Sequence, residues 1–131
     1  MQLTIRRAGA ILAVSDVERS VAFYSQLGFE VQARYEDPPY ATLEAAGVRL
    51  SLAEQGHPAE DRPGVIMTAP EDPGRLSAIL VLEVDDCLAA HERLRRAGVA
   101  FLAEPHSPPW GGHRCFAIDP DHHLIELEEP A

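Results

Sequence analysis

WGGHRCFAIDPDHHLIELEE, residues Trp110–Glu129, has the pattern of a β-hairpin. Arg114 to Ile118 leads into a turn at Asp119-Pro120-Asp121-His122, and His123 to Glu128 leads out. Asp and Pro suit such a turn because proline pre-sets φ and the aspartate side chain accepts from the turn's own amides. The outgoing run alternates. Leu124 and Glu126 fall on one face, Ile125 and Leu127 on the other. Glu126 is therefore a mid-strand carboxylate on the face opposite an apolar pair, and what it looks at decides the protein's chemistry.

Working back from the hairpin, Glu104 to Gly112 (EPHSPPWGG) reads as a loop and Val99 to Ala103 as a strand. Gly98 ends a helix containing Leu88, His91, Leu94 and Ala97, capped by Asp85 or Asp86, and Ala78 to Val84 is a strand before it. The same order occurs nearer the N-terminus. Ala8 to Val14 is a strand. Ser15 is the expected N-cap, with Glu18 three residues on as in a capping box. Val17, Val21, Tyr24 and Leu27 recur at helical spacing up to Gly28. Phe29 to Tyr35 is a strand, Glu36-Asp37-Pro38-Pro39 a turn, and Tyr40–Glu44 with Val48–Ala53 a hairpin about Ala45-Ala46-Gly47.

The two halves align without a gap: Val14, Asp16 and Gly28 match Val84, Asp86 and Gly98, each 70 residues apart. Gly47 to Leu52 matches His122 to Leu127 at a separation of 75, the second half having the longer loop. Each half is a βαβββ unit. One helix covers one face of a four-strand sheet, so the other face must be closed by the partner half or by a second chain. The expected organisation is one α+β domain over residues 1–131. Its modules span about 5–53 and 77–129, joined by a Pro/Gly-rich connector at 54–76 with a short edge segment at Val65-Ile66-Met67. The sheet is expected to be mixed and curved around a cleft.

The 131 residues are 46% hydrophobic and 24% charged, ordinary for a globular domain, and carry a formal charge of −10. That acidity argues against nucleic acid and anionic membranes, suits a cationic ligand, and equally serves solubility alone. Two cysteines, Cys87 and Cys115, make neither a disulfide framework nor a CxxC site, and the expectation is reduced thiols in the cytoplasm. The apolar run Ala8–Val14 after Arg6-Arg7 ends in a helix cap rather than a cleavage site, and no run approaches the ~20 apolar residues of a membrane span.

The repeated units, the segment VSDVERSVAFYSQLGFEV and the ending FAIDPDHHLIELEE resemble the vicinal oxygen chelate superfamily. That group holds glyoxalase I, fosfomycin-resistance enzymes, extradiol dioxygenases and bleomycin-resistance proteins. The resemblance spans nearly the whole chain and implies the glyoxalase/bleomycin-resistance fold. In the family's metalloenzymes the ligands come from the first and last strands of each unit. The matching positions here are Gly9, Ser51, Ile79 and Glu126. Only Glu126 is a usual ligand, whereas a divalent transition metal wants three or four N, O or S donors. The sequence therefore predicts no metal and no cofactor. Adjacent His122 and His123 point apart on a strand. His106 and His113 flank Trp110, and their approach to Glu126 is the one arrangement of histidines left open for rebuilding a metal site.

Strand alternation places Ile11, Arg49, Ser51, Ile79, Val81, Leu124 and Glu126 on the concave face, an apolar hollow with a few polar points. Trp110, the single tryptophan, stands in the loop PPWGG at its mouth, suited to stacking on a planar or cationic ligand. Tyr35 and Tyr40 flank the acidic turn and close the opposite wall. WGGHRCFAIDP is similar to the equivalent stretch of bleomycin-resistance proteins, which are metal-free, acidic and dimeric. The expected ligand set is Trp110, Glu126, Arg114, Ser51, Arg49, Tyr40, Tyr35 and His113, with no catalytic residue. The function so read is sequestration of a small aromatic or cationic molecule, such as an antibiotic, by a homodimer. Two alternatives stay open: a glyoxalase-like lyase, isomerase or dioxygenase using Glu126, and an assembly protein whose cleft has lost its ligand. The bland reading of the face is that the partner half or a sister chain fills it, with Glu126 paired to Arg49 or Arg114.

Overall fold

In a computed structural model describing residues 2–131, Asp16 and Asp86 do the same job in two places. Each sits in extended backbone and turns its carboxylate onto the third amide of a helix. Asp16 accepts from the Arg19 N–H at 3.1 Å and Asp86 from the Ala89 N–H at 2.9 Å. Such a contact satisfies an otherwise unpaired donor and places negative charge at the positive end of the helix dipole. The helices are α1 (Val17–Gln26) and α2 (Cys87–Arg96), and Gly28 and Gly98 leave them at φ 108° and 94°, where a Cβ is unwelcome.

The chain divides into two compact units, Met1–Ala69 and Pro70–Ala131. Unit 1 holds β1 (Ala8–Val14), α1, β2 (Glu30–Glu36), β3 (Pro39–Ala45) and β4 (Val48–Glu54). Unit 2 holds β5 (Leu80–Glu83), α2, β6 (Ala100–Phe101), β7 (His113–Ile118) and β8 (Leu124–Glu129). Each builds a four-stranded mixed sheet, ordered β1-β4-β3-β2 and β5-β8-β7-β6. The first and last strands of each unit pair in parallel and the rest are antiparallel. The two βαβββ repeats and the α+β class are those read from the sequence.

In unit 1 the core lies between α1 and one sheet face. Leu43, Leu50 and Leu52 are fully buried there, each contributing about 1.5–3 kcal/mol. Tyr24 meets Phe23 and Phe29 edge-on, at centroid distances of 5.0 and 6.1 Å. In unit 2, α2 packs on β7 and β8 with His91, Leu94 and Cys87 buried. Ring contact with Phe101 at 4.4 Å gives His91 a packing role. Glu129 adds a second cap to α2, accepting from the Cys87 N–H at 2.9 Å. The β7–β8 turn is organised by Asp119, which accepts from the Asp121 and His123 amides at 2.8 and 2.9 Å, with His122 at φ 71°.

Several local expectations are corrected. The cap of α1 is Asp16, not Ser15, whose hydroxyl instead accepts from the Arg19 guanidinium at 2.6 Å. Glu18 lies one position short of a capping box and pairs with Arg34 across to β2. The strand expected at Val99–Ala103 is two residues long, because after Leu102 donates to the Phe116 carbonyl the chain leaves this sheet edge. The strand expected from Ala78 begins at Leu80. Val65-Ile66-Met67 forms no strand, its one ladder-like contact being the Met67 carbonyl accepting from the Gly56 N–H.

Candidate functional site

Strand pairing fixes which side chains share a face, because directly opposed residues point the same way. In unit 2, Val81 and Phe116 lie opposite Glu126, and Arg114 lies opposite Glu128. These residues form the face turned away from α2. Arg114 is bracketed by aromatic rings, its guanidinium 5.8 Å from the centroids of both Trp110 and Phe116. The indole of Trp110 is 71% exposed. Glu126 is only 9% exposed. Burial, followed by the hydrogen-bonded carboxyl of Glu128 and its charge, pushes the Glu126 carboxyl above the usual carboxylate range, and Arg114 offsets this in part. The like charge of Glu128, two residues along the same strand face, is one cause of this upward shift in Glu126.

His113 stands on the other side of this sheet. Its register partner is Glu129, and its Nδ1 is buried without a hydrogen bond, 4.0 Å from a Glu129 carboxylate oxygen. It shares that helix-side face with Cys115, whose Sγ lies 3.6 Å from that of Cys87. Burial, then the contact with Cys87, pushes the Cys115 thiol up to about 12. His106 extends the β7 ladder through its backbone, exchanging hydrogen bonds of 2.9 Å with Arg114. Trp110, His113 and Arg114 all border a depression of about 110 Å³ at the sheet edge, with Glu128 and Glu129, whereas Glu126 does not line it. That volume is below the ~300–1,000 Å³ of drug-sized pockets, so Trp110 offers a platform rather than an enclosure.

In unit 1 the corresponding open face brings together Arg49, Ser51 and Tyr40. Thr42 lies opposite Ser51, Glu44 opposite Arg49, Ile11 beside Ser51, and Tyr35 opposite Tyr40. The two tyrosine rings are 6.1 Å apart. Ser51 is buried, and Glu44 is bonded to Arg7 at 2.6 Å. A depression of about 300 Å³ lies over Tyr40, Thr42, Arg49 and Ser51. Of the residues the sequence reading did not single out, Glu128, Phe116 and Thr42 are the informative ones. Each lies two positions from a residue that it did single out, so strand alternation alone was sufficient to find them.

The four family ligand positions do not form a metal donor set. Gly9 and Ile79 offer no donor, and a Cβ at Gly9 would collide with the carbonyl oxygen of Arg49, so that position has no room for a histidine ligand without a backbone shift. Among the described residues no three His, Cys, Asp or Glu side chains gather closely enough to hold an ion. The residues present therefore do not fit a resident transition metal at these positions.

The sequence model of the Glyoxalase/Bleomycin resistance protein/Dioxygenase superfamily matches residues 5–127. A lactoylglutathione lyase of Salmonella typhimurium is 32% identical over 134 aligned positions, covering 95% of this chain and 93% of that protein. Among solved structures, a glyoxalase/bleomycin resistance protein/dioxygenase from Nocardioides superposes with a TM-score of 0.77 at 26% identity, covering 98% of this chain and 85% of that one. TnmS3, an antibiotic binding protein from Streptomyces sp. CB03234, superposes at 0.74 with 25% identity over 100% of both chains.

Proposed function

Because the chain belongs to the Glyoxalase/Bleomycin resistance protein/Dioxygenase superfamily, we propose that it binds a small aromatic or cationic molecule and acts by sequestration, without a metal. The observation that carries this reading is the open face of unit 2. An exposed indole rests on Arg114 beside the hydrogen-bonded carboxyls of Glu126 and Glu128. An aromatic platform next to latent negative charge suits a flat cation, for which stacking and charge contributions of about 0.5–2 kcal/mol each accumulate. The likeness to an antibiotic binding protein supports the ligand class. The absent donor set supports binding over metal chemistry. Arg49, Ser51, Tyr40 and Tyr35 belong to the proposal as a second surface, and the working state is a homodimer.

The test is titration of the purified chain with bleomycin and with an acridinium dye, followed by Trp110 fluorescence and melting temperature. Expected are saturable quenching, a raised melting temperature and recovery of the ligand unchanged. Burial holds the Glu126 carboxyl toward its protonated form, so affinity for a cation should rise with pH as that group ionises. Glu126→Gln should weaken binding and flatten that pH dependence. Absence of any thermal shift, or appearance of a converted product, overturns the reading. Sedimentation of the same samples checks the dimer.

A second reading is favoured by the 32% identity to a lactoylglutathione lyase. It requires stoichiometric metal in the purified protein and lyase turnover lost in Glu126→Gln.

A further inference from the structure

The open face of unit 1 carries a cation without a counter-ion. Glu44 stands directly across the β3–β4 pair from Arg49 and would be its natural partner. Yet the Glu44 carboxylate accepts instead from the Arg7 guanidinium at 2.6 Å. The Arg49 side chain makes no hydrogen bond or ion pair among the described residues, and its Nε–H is shut away from solvent with nothing to donate to. A buried donor in that condition weakens the fold unless something arrives to accept from it. On its other flank, β1 contributes Gly9, in register with Arg49, so no side chain stands over the guanidinium from that strand.

The surroundings define what would fit. The depression of about 300 Å³ adjoining Arg49 receives the hydroxyl-bearing side chains of Tyr40, Thr42 and Ser51, and is walled by Gly9, Ala10 and Ile11. Ile11 is 45% exposed, an apolar side chain left facing the opening. One guanidinium balances one negative charge, and its planar fork matches a carboxylate through two parallel N–H···O bonds. A phosphate dianion would bring a second charge with no second cation, because Arg7 is already neutralised by Glu44. The tyrosine and isoleucine walls accept a flat apolar body, and the volume suits a single ring.

We infer that the unit 1 depression is a binding site for the carboxylate of a small aromatic acid, gripped by Arg49 and flanked by the hydroxyls of Thr42 and Ser51. The inference deepens the binding reading proposed above by naming the ligand class of its second surface, and it rests on that reading for this surface alone. It rests on Arg49 rather than on the Trp110 face, and it stands or falls on its own probe and reporter.

The experiment uses the whole chain, ¹⁵N-labelled, titrated separately with benzoate, benzamide and inorganic phosphate up to about 10 mM, the weak end expected of a one-ring fragment. Benzoate should shift the Arg49 Nε–H resonance and the Ile11 and Ser51 amides saturably. Benzamide, the same shape without the charge, should shift none of them, and phosphate should bind at least tenfold more weakly. Arg49→Gln should lose at least tenfold in benzoate affinity, read at the Ile11 and Ser51 amides. If that variant does not fold, the wild-type comparison of benzoate with benzamide decides alone. Equal responses to benzoate and benzamide, phosphate binding as tight as benzoate, or no movement of the Arg49 Nε–H overturns the assignment. Trp110 fluorescence does not enter the measurement, so failure here is separable from failure of the sequestration reading.

Discussion

Replacing Gly9 by alanine probes how closely β1 lies against β4. A Cβ built at Gly9 would overlap the Arg49 carbonyl oxygen and come within 3.2 Å of the Arg49 Cβ. The obstacle is backbone, inside a parallel ladder running from Ala8↔Val48 to Val14↔Glu54, so it cannot rotate away as a flexible side chain would. Relief requires β1 to lift off its partner. Overpacking of this kind costs about 1–3 kcal/mol. The smaller freedom of alanine in the unfolded chain returns about 0.4–1 kcal/mol. The net loss is about 1–2 kcal/mol, or about 4–8 °C in melting temperature for a chain of this length. Histidine carries the same Cβ and a ring besides, so Gly9→His should lose at least as much. Urea unfolding of both variants, followed by circular dichroism, measures the effect. A Gly9→Ala midpoint at or above wild type would refute the close approach. A Gly9→His variant of wild-type stability would remove the steric objection to a ligand at this position.

Three further outcomes are expected. Glu126 holds its proton more tightly in the native than in the unfolded state. Its favourable contribution is therefore complete below the ordinary carboxylate value of about 4.3 and fades as pH rises through the raised native one. Urea midpoints at about pH 4 and pH 7.5 should show Glu126→Gln gaining on wild type as pH rises, and an unchanged gap refutes this. Asp16→Ala should cost about 1 kcal/mol and Ser15→Ala a few tenths at most, read from the same unfolding curves. Equal costs would return the cap to Ser15. Cys87 and Cys115 are buried with raised thiol pKa values, so a disulfide reagent near pH 8 should label neither in the native protein and both in urea. Prompt labelling of the native chain contradicts the burial.

Much of the scaffold was legible because the chain states it twice. Strand alternation and the glycine stops at 28 and 98 placed both helices and both closing hairpins. The repeat also held an answer that local reasoning passed over. Ser15 with Glu18 satisfied a capping-box pattern, but Asp16 aligns with Asp86, and the charged oxygen is the one that reaches the amide. Edges were harder to read. An apolar run such as Val65-Ile66-Met67 or Val99–Ala103 looks like a strand whether or not a neighbouring strand remains to pair with it, and pairing is non-local. At the site, Arg49 and Ser51 share a face by alternation, and Tyr40, expected at the opposite wall, borders the same depression. His113 was grouped with Glu126 for its nearness to Trp110 in the sequence, yet it is one residue from Arg114 and so on the reverse of the sheet. The neutralisation of Glu44 by Arg7 was invisible to pattern, since Arg7 precedes the first strand.

The parallel closure of each sheet bears on how the molecule is made. Strand β1 hydrogen-bonds to β4, and β5 to β8, so the opening strand of each unit waits on the last one. During vectorial synthesis Ala8–Val14 leaves the ribosome with no mate, and some forty residues must follow before one exists. Loop entropy is spent before the ladder forms, which slows folding and leaves a bare apolar edge meanwhile. Nascent-chain length, rather than any single side chain, should set when each unit first resists a protease.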